Sequence, residues 1–104
     1  VVVRVHQTSG FRRWLEKLRD QRAHDRIVER LLAIQTTGQI VGDVKAVGGG
    51  VSELRFNVGP GYRVYFTIKG REMLVLLVGG DKGSQERDIA KAQELAQEWR
   101  QNDA

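Results

Sequence analysis

The triplet Gly59-Pro60-Gly61 limits how this chain folds more than any other feature. Proline presets its own φ and glycine tolerates positive φ, so the triplet predicts a tight turn. Strict alternation flanks it on both sides. Leu54, Phe56 and Val58 share one face before the turn, and Glu53, Arg55 and Asn57 share the other. After the turn, Tyr62, Val64, Phe66 and Ile68 point one way, and Arg63, Tyr65 and Thr67 point the other. A period of two marks strands with unlike faces. The hairpin they form buries its apolar face. Its polar face gathers Glu53, Arg55, Arg63 and Tyr65, and that face is the leading candidate for function.

The remaining segments assemble around this hairpin. Val1 to His6 is rich in β-branched residues and predicts a first strand. Ser9 can cap a helix in which Phe11, Trp14, Leu15 and Leu18 fall at i, i+3, i+4 and i+7. Asp20-Gln21-Arg22 forms a corner, and a second helix runs from Ala23 to Gln35 with Ile27, Val28, Leu31 and Ile34 inward, stopping at Gly38. Gln39 to Gly50 reads as a loop that carries Lys45 and the flexible triplet Gly48-Gly49-Gly50, without the spacing of a phosphate-binding P-loop. Strands follow over 51–58, 62–68 and 72–79, with Lys69-Gly70-Arg71 as the second turn. Leu74 to Val78 is apolar on both faces, which predicts a central strand covered on both sides. The Gly79 to Gly83 segment then leaves the sheet. Ser84 caps a last helix with Ile89, Ala92, Leu95, Ala96 and Trp99 inward, and Asn102 to Ala104 frays.

The order β-α-α-β-β-β-α predicts one α+β domain over residues 1–104. Its twisted sheet has about four strands, with the first beside the last. The N-terminal helical hairpin packs on one face, and the C-terminal helix covers an edge or part of the opposite face. There is no cysteine, and His6 and His24 lack metal-ligand spacing, so neither a metal nor a cofactor is expected. The longest apolar run, Met73 to Val78, is strand-sized, and the Val-Val-Val-Arg-Val-His start is too short and wrongly ordered for a signal peptide. A cytoplasmic protein without membrane contact is the expectation.

The net charge is +4, divided as +6 over residues 1–85 and −2 over residues 86–104. A basic body with an acidic tail suits nucleic acid as a partner. On the first two helices Arg12, Arg13, Lys17, Arg19, Arg22, Arg26 and Arg30 interleave with Glu16, Asp20, Asp25 and Glu29. That spacing predicts a solvated, salt-bridged helical face, with ribosomal-RNA contact as the functional alternative.

Gly42-Asp43-Val44-Lys45, Glu53-Leu54-Arg55, Gly61-Tyr62-Arg63-Val64 and Gly79-Gly80-Asp81-Lys82 occur in an order and spacing that resemble the RelE/ParE superfamily of bacterial toxins, in particular its HigB-like addiction-module branch. The resemblance covers almost the whole chain. It implies the toxin of a type II toxin–antitoxin pair, held by a small helix-turn-helix antitoxin. RelE- and HigB-like members cut messenger RNA on the ribosome without a metal; ParE-like members poison DNA gyrase instead. It further implies that Arg63 contacts the scissile phosphate and that Lys82 stands at the basic position after the last strand. Arg55 is a third basic position, and Lys45 could reach the same rim to bind RNA. Arginine suits this task because its planar fork binds two phosphate oxygens and stays charged. RNA-cutting relatives place Tyr or His near the start of the last helix, whereas this chain reads Ser84-Gln85-Glu86-Arg87-Asp88-Ile89 there. A carboxylate can act as base with a basic neighbour as acid, and Glu53 and Tyr65 are the candidates that remain for proton transfer; Asp88 is nearer the missing position and suits the helix N-terminus electrostatically.

Overall fold

In the computed structural model, which describes residues 1–2 and 4–101, five strands and three helices follow the order β1 (Arg4–Gln7), α1 (Ser9–Glu16), α2 (Gln21–Thr37), β2 (Asp43–Gly48), β3 (Val51–Phe56), β4 (Tyr62–Lys69), β5 (Met73–Asp81) and α3 (Gln85–Gln101). The strands form one sheet in the order β1-β5-β4-β3-β2. Only the β1–β5 pair is parallel, so the first strand does lie beside the last. Val3 and Asn102 to Ala104 fall outside the described residues, and so does the fraying expected of the C-terminus.

Each face of the sheet has its own core. Phe11, Leu15, Ile27, Leu31 and Ile34 from α1 and α2 pack on Leu54, Phe56, Val64, Phe66, Leu74 and Leu76. On the opposite face Ala92 and Ala96 of α3 pack on Val51, Tyr65, Val75 and Leu77. β5 therefore sits between two strands and under helices on both faces, as its unbroken apolar run predicts. α1 is capped by Thr8 rather than Ser9; the Thr8 hydroxyl accepts from the Phe11 N–H. Asp20 caps α2, and Gly38 ends it in the left-handed conformation, φ 74°.

Three expectations need correction. The segment expected to be a loop contains a strand, β2, paired antiparallel with β3 at the sheet edge, so there are five strands and Lys45 lies on one of them. Gly48, Gly49 and Gly50 all have positive φ and make the turn between β2 and β3. The Gly79-Gly80 pair does not leave the sheet, because β5 continues to Asp81. Both residues must be small, since Trp14 of α1 presses on Gly79 from one side and Asp88 of α3 on Gly80 from the other. Finally, Asp81 rather than Ser84 caps the next segment, a short 3-10 turn over Lys82–Ser84 that feeds α3.

Candidate functional site

The end of the sheet where β4 begins and β5 finishes brings the predicted cations together. Arg55 and Arg63 are directly opposite each other on β3 and β4, and Arg63 is opposite Gly80 on β5. Lys82 follows at once: its backbone N–H donates to the Gly61 carbonyl at 2.9 Å. Gly61 lies between the two cations, so close that an added Cβ would meet Arg63 Nη1 at 3.5 Å and Lys82 Cβ at 3.9 Å. Its φ of 86° also calls for glycine. The turn that organises the sequence thus forms the floor between Arg63 and Lys82. Lys45 and Lys82 are exposed, Arg55 is half-buried and Arg63 is buried.

The candidates for proton transfer are not exposed. Glu53 and Tyr65 are wholly inaccessible to solvent, because α3 covers the face on which they were expected to meet a ligand. This corrects the reading of that face as an open polar surface. Glu53 Oε2 accepts from the Tyr65 hydroxyl at 2.9 Å and from Gln85 Nε2 at 2.8 Å. Burial pushes the Tyr65 phenol well above its ordinary pKa, and its hydrogen bond to Glu53 and the charge of that carboxylate push it further. Tyr65 is therefore a proton-holding donor to Glu53. The start of α3 supplies Gln85 to the same carboxylate. Asp88, one turn on, is buried and accepts from the Ser84 hydroxyl.

Each arginine faces its own carboxylate. Asp43 holds Arg55 in a two-point contact, Nε to Oδ2 and Nη2 to Oδ1, both at 3.1 Å. Those hydrogen bonds raise the Arg55 pKa further. Glu53 Oε1 lies 3.8 Å from Arg63 Nε, and Arg63 Nη1 donates to the Tyr62 carbonyl at 3.3 Å. No role at the site was read from the sequence for Asp43 or Gln85, and Asp88 was read only as suiting the helix N-terminus. Asp43 lay in the presumed loop, and Gln85 reaches Glu53 only once α3 has docked on the sheet.

The helical hairpin also differs from expectation. Asp20 is spent on capping α2 and on the Tyr62 hydroxyl at 3.4 Å, and Asp25 on Gln21 and His24. Among the described residues, Arg12, Arg13, Lys17, Arg19, Arg22 and Arg26 form no ion pair. The histidines lie outside the site, His6 edge-on to Trp99 and His24 beside Asp25. No group of three or more potential metal ligands occurs among the described residues.

A sheet ordered β1-β5-β4-β3-β2 between a helical pair and one C-terminal helix, with a basic cluster where β4 meets β5, defines a RelE-like fold. A double-arginine mutant of the Escherichia coli toxin RelE, solved in the free state, superposes with a TM-score of 0.70 at 11% identity, over 90% of this chain and 97% of that one. The toxin–antitoxin complex RelBE2 of Mycobacterium tuberculosis gives a TM-score of 0.59 at 24% identity, over 79% of this chain and 100% of that one. The chain belongs to the family described as phage-derived protein Gp49-like, whose profile matches residues 13–98. An uncharacterised protein of Haemophilus influenzae strain Rd is 40% identical over 98 residues, 94% of this chain and 97% of its own length. The fold that the resemblance to the RelE/ParE superfamily implies is the fold observed. No helix among the described residues is long and apolar enough to cross a membrane.

Proposed function

We propose that this protein is the toxin of a type II toxin–antitoxin pair and cuts messenger RNA on the ribosome. The observation that carries this reading is the cluster of Arg63, Lys82 and Arg55 at one end of a RelE-type sheet. Cleavage by the 2′-hydroxyl places extra negative charge on the phosphorus centre. Fixed cations stabilise that charge without reorganising. Arg63, held rigidly, takes the scissile phosphate. Lys82, on the exposed 3-10 turn, serves the same phosphate or its neighbour. Arg55 and Lys45 guide the strand along the β2–β3 edge. The six unpaired cations of the helical hairpin, on α1, α2 and the corner between them, add attraction for ribosomal RNA, a salt-sensitive contribution. A cognate helix-turn-helix antitoxin neutralises the protein in the cytoplasm. No metal or cofactor takes part in this reading.

One observation favours a second reading. With Glu53 and Tyr65 sealed under α3 and Gln85 at its start, neither candidate for proton transfer is open to a ligand beside Arg63. A ParE-like poison that binds gyrase without cutting RNA needs none.

The test is induced expression in bacteria with transcript ends mapped, for the natural chain, Lys82→Ala and Arg63→Lys. Arg63→Ala is the weaker choice, because removing one partner of a buried ion pair costs about 3–5 kcal/mol and can unfold the protein. Growth arrest with new 5′ ends inside translated messages, reduced in both variants, supports cleavage. Arrest without new ends refutes cleavage and supports the gyrase reading. Absence of arrest refutes both and leaves an antitoxin-binding module.

A further inference from the structure

We propose that Glu53 is a positioning residue that fixes and partly neutralises Arg63, not a base that touches RNA. This rests on the RNA-cleavage reading for its consequence, though not for its geometry. Glu53 is fully buried and Arg63 is 8% exposed. Within the pair, Glu53 Oε1 and Arg63 Nε are both buried with no hydrogen-bond partner among the described residues, and they face each other at 3.8 Å. A buried carboxylate oxygen and a buried guanidinium N–H left unpartnered are each costly, so each is the other's natural counterpart.

The rest of the network points the same way. Oε2 of Glu53 is held from two elements at once, by Tyr65 on β4 and by Gln85 on α3. Those bonds fix the carboxylate, and its free oxygen faces the Nε edge of Arg63. On the far side, Nη1 is tied to the Tyr62 carbonyl and stands close over Gly61. The guanidinium is therefore gripped at two points, and the grip sets where its exposed remainder meets a phosphate. A buried carboxylate with both neighbours in place has no open path to a 2′-hydroxyl. Asp88, the other buried carboxylate at this end of α3, accepts from Ser84 instead.

Glu53→Gln tests this. The amide keeps the shape and can still accept from Tyr65 and Gln85, but its NH2 would face the Arg63 N–H donor to donor. The first readout is the Arg63 Nε–H signal in 15N spectra of the labelled chain, assigned with Arg63→Lys. It is expected to shift and to exchange faster with solvent in Glu53→Gln, while the backbone spectrum stays that of the native fold. The second is binding of a short, non-cleavable 2′-O-methyl RNA, which tightens once the neutralising anion is gone. The third is cleavage on programmed ribosomes. Its kcat falls on the order of 100-fold, as misplacement of a reacting group by about 1 Å would cause. KM does not rise, and the shape of the pH–rate profile is unchanged. An unmoved Nε–H signal overturns the proposal, whatever the activity. Loss of the acid limb of the pH–rate profile in Glu53→Gln also overturns it and makes Glu53 the base. If the natural chain cuts no RNA, the cleavage reading fails, and the Nε–H signal still decides whether Glu53 holds Arg63.

Discussion

Gly79→Ala should destabilise this protein through one named contact. Gly79 lies within β5 and lacks positive φ, so its backbone accepts alanine. The obstacle is space. A Cβ at this position would sit 2.5 Å from Trp14 Cζ3, with two further carbons of the indole closer still. Carbon–carbon contact is comfortable only at about 3.5–4 Å, so either the ring or the strand must retreat by roughly 1 Å or more. Trp14 is not free to do so. It packs on Phe11 at a centroid distance of 5.8 Å and meets Tyr62 edge-on at 6.4 Å. Overpacking of this kind costs about 1–3 kcal/mol. For a domain of this size each kcal/mol moves Tm by about 4–8 °C, so a fall of roughly 5–20 °C is expected. The assay is thermal unfolding of four chains: natural, Gly79→Ala, Trp14→Leu and the double variant. If the clash is the cause, the alanine penalty largely disappears in the Trp14→Leu background. An unchanged Tm for Gly79→Ala, or the same penalty with and without Trp14, refutes the argument.

Gly10→Ala should stabilise the protein by about 0.5–1 kcal/mol, because Gly10 is inside α1 and nothing lies within 4 Å of an added Cβ; a Tm that does not rise counts against it. The chain has two tyrosines, and both phenols are pushed upward, Tyr65 by burial and then Glu53, Tyr62 by burial and then Asp20. Absorbance at 295 nm should therefore show little ionisation of the folded chain near pH 10, where tyrosines of the unfolded chain are about half ionised. Because the folded pKa of Tyr65 is the higher one, its contribution to stability is complete below about pH 10 and is lost as pH rises toward the folded value, at up to about 1.4 kcal/mol per pH unit. Tyr65→Phe should flatten that alkaline decline.

What the sequence discloses depends on where each element finds its partner. The β3–β4 hairpin was legible because its turn residues and its alternation are local. The doubly covered β5 was legible because Leu74 to Leu77 are apolar without interruption. β2 was not, because it is an edge strand exposed along nearly its whole length, and exposed residues leave no hydrophobic pattern to read. The glycine triplet at its end, Gly48 to Gly50, looked like slack, yet it builds a tight turn. The site was half legible. Arg55 and Arg63 share a sheet face as their alternation predicts, whereas Lys82 was implied only by the resemblance and Lys45 was expected on a loop. The burial of Glu53 and Tyr65 follows from α3 docking on that face, a contact between residues 32 apart in the case of Glu53 and Gln85. The small inward residues Ala92 and Ala96 were the available sign that α3 approaches the sheet closely.

The arrangement of charge explains how two arginines can face each other across neighbouring strands, a pairing that by itself is destabilising. Each has a carboxylate one strand nearer the β2 edge: Asp43 on β2 for Arg55 on β3, and Glu53 on β3 for Arg63 on β4. The two pairs differ in burial rather than in chemistry. The Arg55–Asp43 pair lies in solvent, where its geometry can adjust and its strength is screened. The Arg63–Glu53 pair is sealed between sheet and helix, where geometry is fixed by the groups around it. Lys82, last in line, is exposed on a short turn. The cations therefore run from adjustable to fixed to exposed across the end of the sheet. Replacing Arg55 or Lys82 removes attraction for an anion and little else. Replacing Arg63 alters both the charge and the packing of Glu53, Tyr65 and Gln85. Burial, more than the number of positive charges, decides which of these residues sets the geometry of the site.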